Sequence, residues 1–496
     1  MTKLNPKEEG AFMNNSIQHF ATEGIAKLSE ICNSYSDDLT KIAELVYGIT
    51  DVVTKLGLSI IAEEFEAYDE ILRKRKALRS DWNIVRRDKT KLITSLGEVE
   101  YFKTLFINKR TGVSSYLLDD LMRIESHTRI TEDAIARIFE EAVETSYRKG
   151  GKHASITDVS VSKQTVKNKI HSLDFPEILG SGEKRQVEYL YIDADEDHVS
   201  LQYLEKKGDI KKPRTNTAMP KLAYVYEGID NEEDGRPKLI NKKHFGGMYE
   251  GENGVKKFWN EVYAYIESTY DVEKIKNIYI NGDGAAWIKS GTNYIAPSKF
   301  VLDKYHMHKY VTLATAHLGD SRNDAISEIY RAIHKKKKKM AEETFDKILA
   351  VTESESKSKA VAQAKGYILE NWAGILRAMK SKDKNIQCSA EGHISHIYAD
   401  RMSSRPLGWS KVGVDKMSHL RVYWLNGGNM LDLVRYQKQE RKLAAGAEEV
   451  IRSAGDIIAD EYRSRRVQGN YADLIPAEVP SQIKKVVAIR HHIWDL

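Results

Sequence analysis

Three carboxylate-bearing segments hold the residues of this chain best suited to chemistry. The first is Val187–Gln202, VEYLYIDADEDHVSLQ. The second is Ile275–Lys289, IKNIYINGDGAAWIK. The third, Glu391–His396, EGHISH, follows a long helical stretch. The first two read as β-strands ending in carboxylates, and the third carboxylate begins or enters a helix. Hard oxygen ligands of this kind suit Mg²⁺, which takes one or two protein carboxylates and leaves the rest of its shell to water and phosphate. Two such ions clamp the attacking and leaving oxygens of an in-line phosphoryl displacement. The pattern points to metal-dependent chemistry on a phosphodiester backbone.

The elements that must position these groups can be read from periodicity. Ser16 to Arg79 is helical in pattern, with Ile42, Leu45, Val46, Ile49, Val53, Leu56 and Ile60 at three- and four-residue steps. That stripe is either a packing face or a dimer-forming helix. It runs into the basic Arg73–Arg87. Lys91–Gly112 alternates around Gly97 and predicts a two- or three-stranded antiparallel unit. Thr131–Leu173 reads as a helix, a short helix around Tyr147–Ala154, and a third helix capped by Ser162. The third presents Lys163, Gln164, Lys167, Asn168 and Lys169, which makes either a helix-turn-helix whose side chains read base edges and phosphates or an ordinary helical hairpin with a wet outer face. Val199–Tyr203 and Leu222–Gly228 look like further strands of one sheet with the first acidic strand. Phe258–Tyr270 is an amphipathic helix leading into Ile278–Ile280. Lys309 to Met379 is nearly all helix formers and includes the lysine run His334–Lys339, read either as a solvated face or as a phosphate contact. Asp415–Gly446 is helical and broken at Gly427-Gly428.

The chain has 496 residues, 41% apolar and 30% charged, with a formal net charge of +5. That length suits about three domains. Two cysteines, Cys32 and Cys388, rule out a disulfide framework and a multi-cysteine zinc ribbon. A reducing compartment fits them best. MTKLNPKEEGAFMNN has no apolar h-region, and no membrane span is read from the sequence, so the expectation is a cytoplasmic protein, nucleoid-associated in a prokaryote.

In its ADEDHVSLQ strand, YINGDGAAWI, the Asp303–His306 segment DKYH and CSAEGHISHIYADRMSSRPLGWS, the chain resembles insertion-sequence transposases of the ISLre type, part of the Mutator-like group with an Asp-Asp-Glu triad. The hairpin, SYRK and SKQTV region is also similar to that family's DNA-binding part. The resemblance covers roughly residues 90–430. It implies an α/β fold: a ribonuclease H-like catalytic domain with a mixed sheet and a large helical insertion, preceded by helical and helix-turn-helix DNA-binding regions. The corresponding division is 1–90 helical, with possible dimerisation; 91–175 hairpin and helix-turn-helix; 185–308 with 386–430 catalytic; 309–385 helical insertion; and 431–496 C-terminal helical region.

The implied catalytic and metal-binding set is Asp195, Asp283 and Glu391, holding two Mg²⁺ or Mn²⁺ ions. Asp193 is the alternative to Asp195, because both share one strand face. The 108 residues between Asp283 and Glu391 are explained by an inserted helical domain. The resemblance singles out the pair Asp303 and His306, for orienting the metal-binding groups or contacting a phosphate. His393 follows Glu391 closely, and Arg401, Arg405 and Trp409 offer phosphate forks and a stacking ring. The implied partners are double-stranded DNA, as element ends and target, and a second copy of the chain in a homodimer or higher oligomer. Two other functions fit the same residues: a ribonuclease H-like nuclease of the resolvase type that only hydrolyses, and a DNA-binding protein derived from a transposase that has lost catalysis.

Overall fold

The computed structural model describes residues 15–124, 128–180, 182–203, 216–230, 238–380, 395–404 and 407–437. Glu391, His393, Arg405 and residues 438–496 lie outside this set. The described residues form a mixed α/β structure that divides into two compact units, 15–138 with 150–161, and 139–149 with 162–437.

In the first unit, the helix Ile42–Lys74 packs on an antiparallel hairpin, β1 (Trp82–Ile93) and β2 (Glu98–Asn108). A two-residue strand, Ser114–Ser115, makes three strands in all. The first strand starts nine residues before the Lys91 expected from the sequence, because Trp82 and Leu92 enter the cluster that Leu72, Tyr101 and Phe106 fill. Asp69 fixes the register of helix on strand: its buried carboxylate accepts from the Thr104 amide at 2.8 Å and the Thr104 hydroxyl at 2.7 Å. The helix Ile42–Lys74 is long and apolar enough to cross a membrane by length and composition alone. Its second half, through Leu58, Ile61 and Phe65, lies on the hairpin cluster, while Ile42, Val46, Tyr47 and Val53 are exposed. The basic stretch Arg73–Arg87 is largely used internally. Arg79 donates to the carbonyls of Leu72, Arg73 and Trp82, Arg86 binds Asp88, and Arg87 pairs with Glu66.

The second unit is built on a five-stranded sheet. Its strands are β3 (Tyr189–Glu196), β4 (Lys221–Tyr226), β5 (Lys243–Gly247), β6 (Asn277–Gly282) and β7 (Ser298–Leu302), in the spatial order β5-β4-β3-β6-β7. β4 runs antiparallel to both β3 and β5, whereas β6 is parallel to β3 and β7 is parallel to β6. Two strand expectations change. Val199–Ser200 pairs with Thr217–Ala218 in a small separate sheet, and the third strand of the main sheet is Lys243–Gly247, whose HFGG lacks the β-branched residues that mark a strand. Along β3, Leu190, Ile192 and Ala194 face one core, and Tyr191 joins a second cluster with Tyr224, Tyr226 and Val301. The first core is covered by the helix Gly251–Thr269, whose Phe258, Trp259, Val262, Tyr265, Ile266 and Thr269 recur on one side. After β7 come the helices Lys304–Thr315, Arg322–His334, Lys338–Ala350, Glu355–Glu370 and Trp372–Lys380. They share that core through Val311, Ile329, Phe345, Ile368 and Ile375.

Candidate active site

β3, β6 and β7 run the same way, so their carboxyl ends share one edge of the sheet. Asp195 is the penultimate residue of β3, Asp283 directly follows β6, and Asp303 directly follows β7. Register ties the three ends together. Asn281 pairs with Asp193, Gly282 pairs with Leu302, and the Asp303 amide donates to the Gly282 carbonyl at 3.0 Å. Gly282 permits the close approach, since a Cβ there would stand 2.8 Å from the Ala194 carbonyl.

Asp193 and Asp195 lie on one strand face but in different surroundings. Asp193 is 0% exposed, and its carboxylate accepts from Asn281 Nδ2 at 2.6 Å, Tyr224 Oη at 2.8 Å and Tyr226 Oη at 3.2 Å. Asp195 is half-buried at the strand end, where one oxygen accepts from the Glu196 amide at 2.8 Å. Asp283 is also half-buried. Its Oδ1 accepts from the Ala285 amide at 2.8 Å in a turn that Gly284 closes at φ +88°. Asp197 is farther along, bound to Ser403 at 3.0 Å, and burial raises its carboxyl above the usual range.

Asp303 caps the helix Lys304–Thr315, accepting from the His306 amide at 2.6 Å with one oxygen. The other oxygen lies 2.7 Å from His306 Nδ1. Burial pulls the imidazole down, but the bond to Asp303 and the nearby charges of Asp303, Asp283 and Asp195 outweigh it and raise it above the ordinary histidine value. The same three carboxylates act on the Tyr367 phenol. Asp195, Asp283 and Asp303 stand at three neighbouring strand ends. Among the described residues, no three His, Cys, Asp or Glu side chains stand close enough together to hold a metal by themselves.

The chain that follows Glu391 returns to this edge. Tyr398, seven residues beyond Glu391, donates to the Lys221 carbonyl at 3.1 Å. Lys221 pairs with Glu196 in the sheet, and its ammonium lies 3.3 Å from the Glu196 carboxylate and 4.5 Å from the Trp287 ring centre. Arg401 is 6% exposed, donates to the Ala142 carbonyl at 3.2 Å and sits over the rings of Tyr147 and Trp409. Trp409 is buried and donates to the Met402 carbonyl. Both side chains hold this segment together rather than present a face to a strand of DNA.

The polar-basic helix is Lys163–His171. The Ser162 hydroxyl caps it, accepting from the Thr165 amide at 3.2 Å. Val166 and Ile170 are buried; Lys163, Gln164 and Asn168 are exposed, Lys167 and Lys169 partly so. Gln164 Nε2 donates to Asn168 Oδ1 at 2.7 Å, which confirms their common face. The helix groups with the unit that carries the sheet, not with the hairpin. Lys335–Lys339 are exposed around the turn between Arg322–His334 and Lys338–Ala350.

Sequence reasoning missed Tyr224, Tyr226, Asn281, Tyr310, Tyr367 and Asn371. The alternation in LAYVYEG held a signal for the two tyrosines of β4, and Asn281 stands inside YINGDG. Tyr310, Tyr367 and Asn371 had none, because only tertiary packing brings them to the edge. On the β5 side of this unit a cavity of about 1170 Å³ is lined by Phe175, Lys243, Tyr249, Glu261, Asp415 and His419 among others.

A family model described as "Uncharacterised protein family (UPF0236)" matches residues 35–440. Two UPF0236 proteins of Caldanaerobacter subterraneus subsp. tengcongensis are each 39% identical over 408 residues, 82% of this chain and 83% or 78% of theirs. A third, 38% identical over the same span, has a name that covers eleven loci of that genome. Among solved structures, the Drosophila P element transposase strand transfer complex matches 71% of this chain and 91% of its own at 12% identity, with a TM-score of 0.22, too low to bear on the fold. The extent of the family match and the identity to these relatives agree: the chain belongs to the UPF0236 family.

Proposed function

We propose that this chain is a DNA transposase. In this reading a ribonuclease H-like domain cleaves phosphodiester bonds at the ends of a mobile element and transfers the 3′-hydroxyl to target DNA. Asp195, Asp283 and Glu391 hold the divalent ions. The observation that carries the reading is the shared edge, where Asp195 and Asp283 end adjacent parallel strands beside the strand that ends at Asp303. The strand order β5-β4-β3-β6-β7, in which β4 alone runs against the other four, supports the ribonuclease H-like part. A relative with eleven loci in one genome is what repeated self-insertion leaves behind.

The residues fit the metal. Mg²⁺ takes one or two protein carboxylates, and two are offered here from neighbouring strands. When bound, such ions activate the attacking oxygen and neutralise charge on the phosphate. The chain's own part is positional. Asn281 and two tyrosines hold the buried Asp193 and so fix the end of β3. The Gly284 turn fixes Asp283, and Asp303 fixes the His306 ring. Placement of reacting groups supplies much of the rate in such reactions. The test is incubation with Mg²⁺ and a duplex carrying the element's own end. Cleavage with strand-transfer products supports the reading, cleavage alone favours a hydrolytic nuclease, and neither product overturns both.

A further inference from the structure

The turn that carries Asp283 is gripped from the helices that follow β7. The Tyr367 hydroxyl donates to the Asp283 carbonyl. The Tyr367 ring stacks on Tyr310, with centroids 3.7 Å apart and planes 15° from parallel. Tyr310 lies on the helix that Asp303 caps and that bears His306. One turn beyond Tyr367, Asn371 donates through Nδ2 to the Tyr367 carbonyl at 2.9 Å. Asn371 is 3% exposed, and its Oδ1 has no hydrogen-bond partner among the described residues. It stands against Gly284, where a Cβ would come within 2.7 Å of that oxygen.

A buried carbonyl oxygen without a donor is costly, and native structures keep one where a ligand or water supplies the donor. A tyrosine used only for packing needs no bond to the backbone of a site residue.

We propose that Tyr367 and Asn371 are positioning residues for Asp283, and that the helical segment they belong to is a working part of the acidic site. Tyr367 holds the Asp283 backbone from one side. Asn371 limits the Gly284 turn from the other and leaves Oδ1 for a donor on a hydrated divalent cation. The inference rests on the metal-dependent reading above.

Tyr367→Phe removes one hydroxyl and keeps the stack on Tyr310. Mn²⁺ binding to the full-length protein, measured by calorimetry, should weaken about fivefold, the net worth of one hydrogen bond. The Mg²⁺ concentration for half-maximal cleavage should rise in parallel, with end binding in EDTA unchanged. Should Tyr367→Phe fail to fold, Asn371→Ala tests the same grip from the other side and should also weaken Mn²⁺ binding. Folded variants with wild-type Mn²⁺ affinity, or a lower melting temperature with unaltered affinity, overturn the inference and leave the transposase reading standing. Wild-type protein that neither binds Mn²⁺ nor cleaves removes both.

Discussion

Asn281 donates to Asp193 across 2.6 Å, and these two residues face each other in the register of the parallel strands that end at Asp283 and Asp195. One carboxylate thus serves as a buried bracket for the sheet, and the carboxylate two residues on stands at the strand end. Asp193→Ala removes the acceptor that three buried donors share, at about 1–3 kcal/mol for each donor left unsatisfied. It should lose most of the unit's stability or yield insoluble protein. Asp195→Asn should melt within about 0.5 kcal/mol of wild type and lose cleavage. Thermal melts beside cleavage assays separate the two, and equal destabilisation by both would assign Asp195 to the scaffold.

The exposed face of Lys163–His171 should set sequence preference. Gln164 and Asn168 are bound to each other in the free protein, so contact with a base edge redirects that bond. Changing both to Ala should cost about 1–3 kcal/mol of discrimination for each bidentate bond to a base that is removed, with non-specific affinity retained. Competition gel shifts with end and random duplexes report this; undiminished preference would move recognition elsewhere.

Lysine-to-alanine replacement of Lys335–Lys339 should flatten the salt dependence of DNA binding. These side chains are exposed, and each phosphate they no longer neutralise takes about 0.9 off the slope of log affinity against log salt. Fluorescence anisotropy across a salt series gives the slope. An unchanged value would make the run a solvated turn.

The Asp415–His419 pair beside the large cavity should make stability pH-dependent. His419 is lowered by burial but raised overall by its bond to Asp415, while burial raises Asp415 and its bonds to His419 and the Met248 amide lower it overall. The histidine contribution is fully present below its unfolded value of 6.5 and lost as pH rises through the higher folded value. The aspartate contribution is present above 3.8 and lost as pH falls. The melting difference between wild type and His419→Gln should therefore be largest between about pH 4 and 6.5 and shrink at alkaline pH. A difference independent of pH would reduce the pair to packing.

The strand-end placement of Asp195 and Asp283 was legible in the sequence because strand chemistry is local. The alternation in YLYIDADE and the glycines around Asp283 describe strand ends without reference to distant residues. The helices after β7, the Ser162 cap and the break near Gly427 were equally local. What failed depended on partners. Val199–Ser200 alternates well enough to be a main-sheet strand, yet its pairing partner is Thr217–Ala218. Lys243–Gly247 shows little strand character and is held by β4 and the helix Lys411–Leu425. Arg401 looks like a phosphate fork until Ala142, Tyr147 and Trp409 surround it.

The most direct test of the central claim is one assay on one substitution. Asp283→Asn keeps the side chain's shape and removes its charge. Wild type and variant are compared on a labelled duplex bearing the element end, with binding read in EDTA and cleavage read after addition of Mg²⁺. The account predicts equal end binding, and cleavage by the wild type alone. Cleavage by Asp283→Asn at the wild-type rate would contradict it.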